Sequence, residues 1–324
     1  MMIKLTDVAK KAGVSPTTVS RVLNNRGYIS NATKIKVNNA IKELNYQPNN
    51  IARSLGGKAT HIIGLIFYDT SHPFFGELTS KLESKLFEKG YRVFLCNSAN
   101  SPDKEKRYLD MLAANKVDGI ISGTHNLDIL EYKNIQAPIV SFDRNLAPYI
   151  PVVSSDNFKG GIKATKYLIN QGAKHIHIIS SHVRSHNPTD ARVEGFFTTL
   201  KKYNLIPHEH AFSFTMSPTI KKELIKKILQ NEPIDGLFCT DDLTAILAYE
   251  AAQEVGIKIP QDLDLIGYDG TNLIRNYFPQ LSTIQQPIEE ISSLLIELLL
   301  KQINGYTPKR NETFKLPVKL IVGD

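Results

Sequence analysis

In "DVAKKAGVSPTTVSRVLNN" (Asp7 to Asn25), the residues able to do chemistry beyond filling a core are Pro16, Thr17, Ser20 and Arg21. Arg21 carries a planar fork of donors, and Thr17 and Ser20 carry small hydroxyls. Such a surface suits a groove lined with base edges and phosphates. An ordinary solvated helical hairpin would also tolerate it.

Two short helices would have to present these groups. Thr6 is placed to cap the first, with Asp7 at its positive end, and Gly13 stands where that helix must stop. Ser15 can cap the second, and Pro16 falls at its first position, where a missing N–H costs nothing. Val8, Ala9 and Ala12, with Val14, Val19, Val22 and Leu23 after the turn, would form the shared core.

Charge narrows the partner. Residues 1–58 hold ten Lys/Arg against Asp7 and Glu43, a balance of +8, whereas the rest of the chain holds 29 basic and 30 acidic residues, a balance of −1. The positive excess therefore lies in the first sixth of the chain, as expected where counterions are displaced from phosphates. A membrane-binding basic helix would need large apolar groups opposite the charges, and this segment has neither Trp nor Phe.

From Ser30, "SNATKIKVNNAIKELNY" reads as a third helix, with Ile35, Val37, Ile41 and Leu44 on its apolar side. In "QPNNIARSLGGKAT", Pro48 ends that helix and Gly56-Gly57 ends a short fourth over about Asn49 to Leu55. Two turns are marginal in water and form only against a partner.

Beyond Thr60, apolar runs of strand length ("HIIGLIF", "YRVFLC", "VDGIIS", "APIVSF", "KHIHIIS", "IDGLFCT", "LDLIGY") alternate with helical stretches such as "PFFGELTSKLESKLFEKG" and "LTAILAYEAAQEVG". That alternation predicts an α/β module with parallel sheets covered on both faces. About 265 residues exceed one small sheet, so two lobes are expected. "MLAANKVDGIIS" and "ILQNEPIDGLFCT" repeat the same helix, Asp-Gly, strand pattern, which points to two similar lobes with a cleft at the strand carboxyl ends. Cys96 and Cys239 fall on different predicted strands, as free core cysteines. The N-terminus is polar from Lys4 and no apolar run reaches membrane-spanning length, so a cytoplasmic location and no membrane partner are expected.

In their order along the chain, "LTDVAKKAGVSPTTVSRVLNN", "LNYQPNNIARSL", "IGLIFYDTSHPFFGEL", "ARVEGF", "LIGYDG" and "LSTIQQP" resemble the signatures of LacI/GalR-family transcriptional repressors, from about Leu5 to Val322. Within that family "FLCNSAN", "DGIISGTHNL" and "SFDRNLAPYIPVVSSDNF" are most similar to sucrose operon repressors. The resemblance implies an all-α helix-turn-helix domain (1–47), a hinge helix and linker (48–59), and a two-lobed core like periplasmic binding proteins (60–324). Lobe 1 would span about 60–156 and 288–311, and lobe 2 about 157–287 and 312–324. It implies a sugar-responsive repressor that binds a near-palindromic duplex operator as a homodimer, without enzyme activity or a cofactor. No leucine heptad is added before Asp324, which favours a dimer over a tetramer.

By the same resemblance Pro16, Thr17 and Arg21 would read bases, while Ser15, Thr18, Asn24, Tyr46 and Asn49 would position phosphates, with Thr6 and Ser20 beside them. Leu55 would wedge into the minor groove, and Ala52 would let paired hinge helices approach. In the cleft, Asp143, Arg192 and Asp269 stand where the family contacts its effector, with Ser71, His72, Phe74, Thr240, Asp241 and Gln286 around them. A sugar's vicinal hydroxyls can donate to both Asp and accept from Arg; an internal salt bridge is the alternative. Phe74 could lie flat against a sugar ring.

Other features read as bland. His175 and His177 alternate along a strand with no carboxylate near them in sequence, and "HEH" (His208 to His210) falls in an expected surface loop, so no metal site is expected. "NFKGGIKA" lacks the spacing of a dinucleotide loop. Rival readings are a regulator needing a protein co-repressor, a cytosolic sugar-processing enzyme and a plain sugar-binding protein.

Overall fold

The computed structural model describes residues 3–23, 26–46, 59–99, 101–124, 126, 129–181, 188–213 and 215–324. Asn24, Asn49, Ala52 and Leu55, and nearly all of the expected hinge, lie outside the described residues. The chain divides into two units, Met1–Thr60 and His61–Asp324.

The first unit holds α1 (Leu5–Ala12), α2 (Pro16–Leu23) and α3 (Asn31–Glu43). Gly13 ends α1 in the left-handed conformation at φ 65°, its N–H donating to the Lys10 carbonyl. Ser15 caps α2, its Oγ accepting the Thr18 N–H at 3.1 Å, and Ser30 caps α3 through the Thr33 N–H at 3.3 Å. The expected Thr6 cap is not formed. Helix α1 begins two residues earlier, at Leu5 with Lys4 before it, because the Asp7 carboxylate reaches back to the Lys4 N–H at 2.8 Å and leaves Thr6 inside the first turn. Val8, Ala9, Val19, Val37 and Ala40 form the buried centre, with Ala12, Val14, Val22, Leu23 and Ile41 packed around it. Ile35, expected on the apolar side of α3, is instead exposed, two residues from the buried Val37 and so across the helix from it.

In the second unit, apolar runs form two six-stranded sheets whose central strands are buried on both faces and whose edge strands are partly exposed. The first contains β1 (Ile62–Phe67), β2 (Arg92–Asn97), β3 (Gly119–Gly123), β4 (Ile139–Phe142), β5 (Val152–Ser155) and β11 (Thr313–Leu316), in the order β11-β5-β4-β3-β1-β2. The second contains β6 (Ile176–Ser181), β7 (His208–Phe212), β8 (Gly236–Cys239), β9 (Asp264–Asp269), β10 (Ser282–Gln285) and β12 (Lys319–Ile321), in the order β12-β10-β9-β8-β6-β7. The orders match strand for strand, with β3 and β8 carrying the repeated Asp-Gly pattern. All pairings are parallel except β10 with β12.

Helices cover each sheet. Ile63, Leu65 and Phe67 pack against Leu78, Leu82 and Leu86 of α4 (Pro73–Glu88) and Ile291, Leu295 and Leu299 of α11 (Ile288–Ile303), while α5 (Pro102–Ala114) covers the opposite face. Each such fully buried side chain contributes about 1.5–3 kcal/mol. On the second sheet α6 (Asn157–Gln171) and α7 (Ala191–Lys202) cover one face, α8 (Pro218–Asn231) and α9 (Asp242–Glu254) the other, and the short α10 (Asn272–Tyr277) follows β9. The chain passes between lobes after β5, after β10 and between β11 and β12. The last passage is later than expected: Thr313–Leu316 pairs in parallel with β5 and belongs to the first lobe, because backbone groups at that sheet edge take the strand up.

Two local expectations are also corrected. "HEH" is not a surface loop but the start of β7, paired with β6. His175 precedes β6 and is exposed, whereas His177 is buried. Cys96 and Cys239 are buried and free. Among the described residues no helix is long and apolar enough to cross a membrane.

Candidate functional site

Strand carboxyl ends of both lobes converge on a cavity of about 320 Å³. Asp143 directly follows β4, and Asp269 ends β9; both have positive φ, 54° and 115°. Arg192 sits in the first turn of α7, brought there by a close approach of helices. A Cβ on Gly161 of α6 would lie 2.1 Å from the Arg192 carbonyl oxygen, and one on Gly195 of α7 would lie 2.3 Å from that of Phe158. Only glycines allow this spacing.

The hub of the cluster is Asn157, the first residue of α6. Its Nδ2 donates to Asp143 Oδ1 at 3.1 Å, while its Oδ1 accepts from Arg192 Nε at 2.8 Å and from the Tyr268 hydroxyl at 3.1 Å. The Arg192 guanidinium lies 3.7 Å over the Tyr268 ring centroid. Its Nη1 donates to the Thr240 carbonyl at 2.7 Å and lies 3.7 Å from Asp269 Oδ1. Gln286, where the chain leaves β10 for α11, donates through Nε2 to Asp269 Oδ1 at 2.7 Å and accepts the Ser155 hydroxyl at 2.7 Å. Ser155 belongs to one lobe and Asp269 to the other, so Gln286 joins them. Below Asp269, Asp242 accepts the Gly270 N–H and the Thr283 hydroxyl, which holds the end of β9.

Burial raises the Asp143 carboxyl, opposed first by Arg192 and then by Arg144. Burial likewise pushes Asp269 up to about 6, again against the pull of Arg192. Arg144, buried beside Asp143, is lowered to about 10 by the same desolvation. The cavity wall carries Asp69, Asp143, Asp190, Glu209, Asp241 and Asp269 against the cations Arg144, Arg192 and Lys221. An uncharged ligand rich in hydroxyls satisfies such a wall better than an anion.

In the first unit Pro16, Thr17 and Arg21 are exposed on α2, and Thr17 and Arg21, four residues apart, share a face. Thr6 and Ser15 are exposed as well. Ser20 is half-buried, and Thr18 spends its hydroxyl on Ser15 Oγ at 2.9 Å. Tyr46 packs partly onto the small core.

Residues 60–319 match the family model for periplasmic binding proteins and the sugar binding domain of the LacI family, and residues 4–49 match that for bacterial regulatory proteins of the lacI family. The chain belongs to the LacI family. Among proteins similar to this LacI-family chain, the sucrose operon repressor of Pediococcus pentosaceus is 51% identical, covering 100% of this chain and 99% of its own. That of Lactococcus lactis is 47% identical, covering 99% of each. A solved periplasmic binding protein/LacI transcriptional regulator from Alkaliphilus metalliredigens, complexed with D-xylulofuranose, is 33% identical with a TM-score of 0.73, over 82% of this chain and 98% of that one. The lac repressor dimer bound to operator and an anti-inducer shares the fold, with a TM-score of 0.86 at 24% identity over 99% and 98% of the two chains.

In this LacI-family chain the cavity wall brings together His72, Phe74, Asp143, Arg192, Thr240, Asp241, Asp269 and Gln286. Ser71 is not among them: it is exposed and bonds Asp69 Oδ1 through its own N–H and hydroxyl, so Asp69 stands on the wall instead. Phe74 is stacked on Phe142, ring centroids 5.3 Å apart, which occupies one face of its ring. Asp241 spends both oxygens capping α9 at Thr244. Sequence reasoning missed Asn157, Arg144, Tyr268 and Asp69. Asn157 and Arg144 were adjacent to signals in hand: Asn157 opens the glycine-bearing "NFKGG", and Arg144 follows Asp143.

Proposed function

We propose that the chain is a sequence-specific DNA-binding repressor of a sugar-utilisation operon, sucrose being the favoured sugar system, released from its operator by a neutral sugar in the interlobe cleft. The observation that carries this reading is the buried Asp143–Asn157–Arg192–Asp269–Gln286 array, which spans both lobes beside an open cavity. The full-length likeness to sucrose operon repressors supports the choice of sugar system.

In this reading the +8 first unit grips duplex as one half of a homodimer. Arg21 and Thr17 meet base edges, Pro16 meets a thymine methyl, and Ser15, Thr18, Asn24, Tyr46 and Asn49 meet phosphates, with Thr6 and Ser20 alongside. Leu55 acts as the minor-groove wedge and Ala52 permits close hinge pairing. Vicinal hydroxyls donate to Asp143 and Asp269 and accept from Arg192. The sugar favours one lobe arrangement over the other, and only that difference can lower operator affinity. The protein works in the cytoplasm and is not an enzyme.

Operator binding by fluorescence anisotropy, on duplex selected from a random pool, tests this with sucrose, fructose, glucose and their phosphate esters. A neutral sugar is expected to weaken binding, and the esters are not. Equal operator affinity under every condition, or turnover of a cleft sugar, would overturn the reading.

A further inference from the structure

Away from the cleft, the edge of the second sheet gathers imidazoles that are far apart in the chain. Parallel pairing sets His177 of β6 opposite His208 of β7, and Ile179 opposite His210. The His177 ring is buried, stacked on His208 with centroids 4.4 Å apart, and its Nδ1 lies 2.9 Å from His210 Nε2. Glu232, where α8 ends, places Oε2 3.7 Å from both of those nitrogens.

We infer that His177, His210 and Glu232 bind one divalent transition-metal ion of the zinc class. The circle through three atoms 2.9, 3.7 and 3.7 Å apart has a radius of about 2.0 Å, which matches zinc–nitrogen and zinc–carboxylate bonds of about 2.0–2.2 Å. The His177 tautomer is set for it, whereas His210 shifts the proton its Nε2 donates to His177 onto Nδ1 as the ion enters. His177 Nε2 lies 3.1 Å from the Pro233 carbonyl, which can only accept, so Nε2 carries the proton and Nδ1 turns its lone pair to the cluster. Burial disfavours the charged form of both rings, and the neutral imidazole is the form that ligates. Glu232 is partly exposed, which leaves an entry path and an open position for water.

The ion would clip edge strand β7 and the end of α8 to β6. Both clipped elements also reach the cleft: Glu209 lies between His208 and His210 on β7, and Lys221 lies in α8.

Zinc and cobalt titrations of the full chain, after chelator treatment, test the site. The wild type should take up one Zn²⁺ per chain, gain thermal stability as zinc rises, and give the visible absorption of a low-coordinate Co²⁺ site. His210→Gln should abolish uptake, and Glu232→Gln should weaken it at least about tenfold. Both positions are less buried than His177, so these variants keep the fold, which circular dichroism checks. No uptake by the folded wild type, or uptake unchanged in both variants, would overturn the site and leave an ordinary His–His hydrogen bond. Sugar release of the operator is read separately, so failure here does not touch the repressor assignment.

Discussion

Asn157 accepts the Arg192 Nε–H at 2.8 Å with its side-chain oxygen, while its nitrogen holds Asp143 at 3.1 Å. One amide thereby fixes a cation and a carboxylate that belong to different lobes, both buried. Neutral Asn suits the position because it offers a donor on one side and an acceptor on the other.

Replacing it removes both. Asn157→Ala should cost roughly 1–3 kcal/mol in urea unfolding, because a buried charge loses a partner on each side. Sugar titration should show affinity falling more than stability alone explains, since Arg192 and Asp143 lose their alignment.

Gly161→Ala tests how Arg192 is placed. The added Cβ meets the Arg192 carbonyl at 2.1 Å, so α7 must move. A loss of about 1–3 kcal/mol is expected, with weaker sugar binding and unchanged DNA contacts in sugar-free protein. Unchanged sugar affinity would show that the helix spacing does not set the cleft.

Arg21→Ala should lower operator affinity by about 1–3 kcal/mol and relax preference at one base pair. The side chain is exposed, so melting should not shift. Anisotropy on a panel of single-base operator variants reads the outcome.

Sugar binding should depend on pH through Asp269. Burial lifts this carboxyl to about 6, so it is protonated below that pH and ionised above it. A sugar hydroxyl donates to the ionised form, so affinity should rise with pH through about 6, by at most about tenfold per unit. Asp269→Asn should be weak and flat across the same range in calorimetry.

How far the sequence could be read follows from what each signal depends on. Ser15, Gly13 and Ser30 act on neighbours within four residues, and the Asp-Gly repeat and apolar runs announce strands by local composition, so the helix-turn-helix unit and the two-sheet plan were legible. Thr6 was misplaced as a cap because Asp7 competes for the same helix end at the same range. "HEH" (His208 to His210) reads as a loop in the sequence because its pairing partner, β6, lies some thirty residues away.

The sequence by itself determined the charged reading head and the duplicated α/β plan, and its family resemblance pointed to Asp143, Arg192 and Asp269 as cleft residues. Only the tertiary structure decided that Asn157 joins them, that Ser71 turns onto Asp69, that Thr313–Leu316 completes the first sheet, and that Glu232 meets His177 and His210. The physical reason is separation along the chain. Periodicity and capping arise from bonds within a helical turn or strand. Hydrogen bonds between residues 35 or 131 positions apart exist only after the backbone has brought them together.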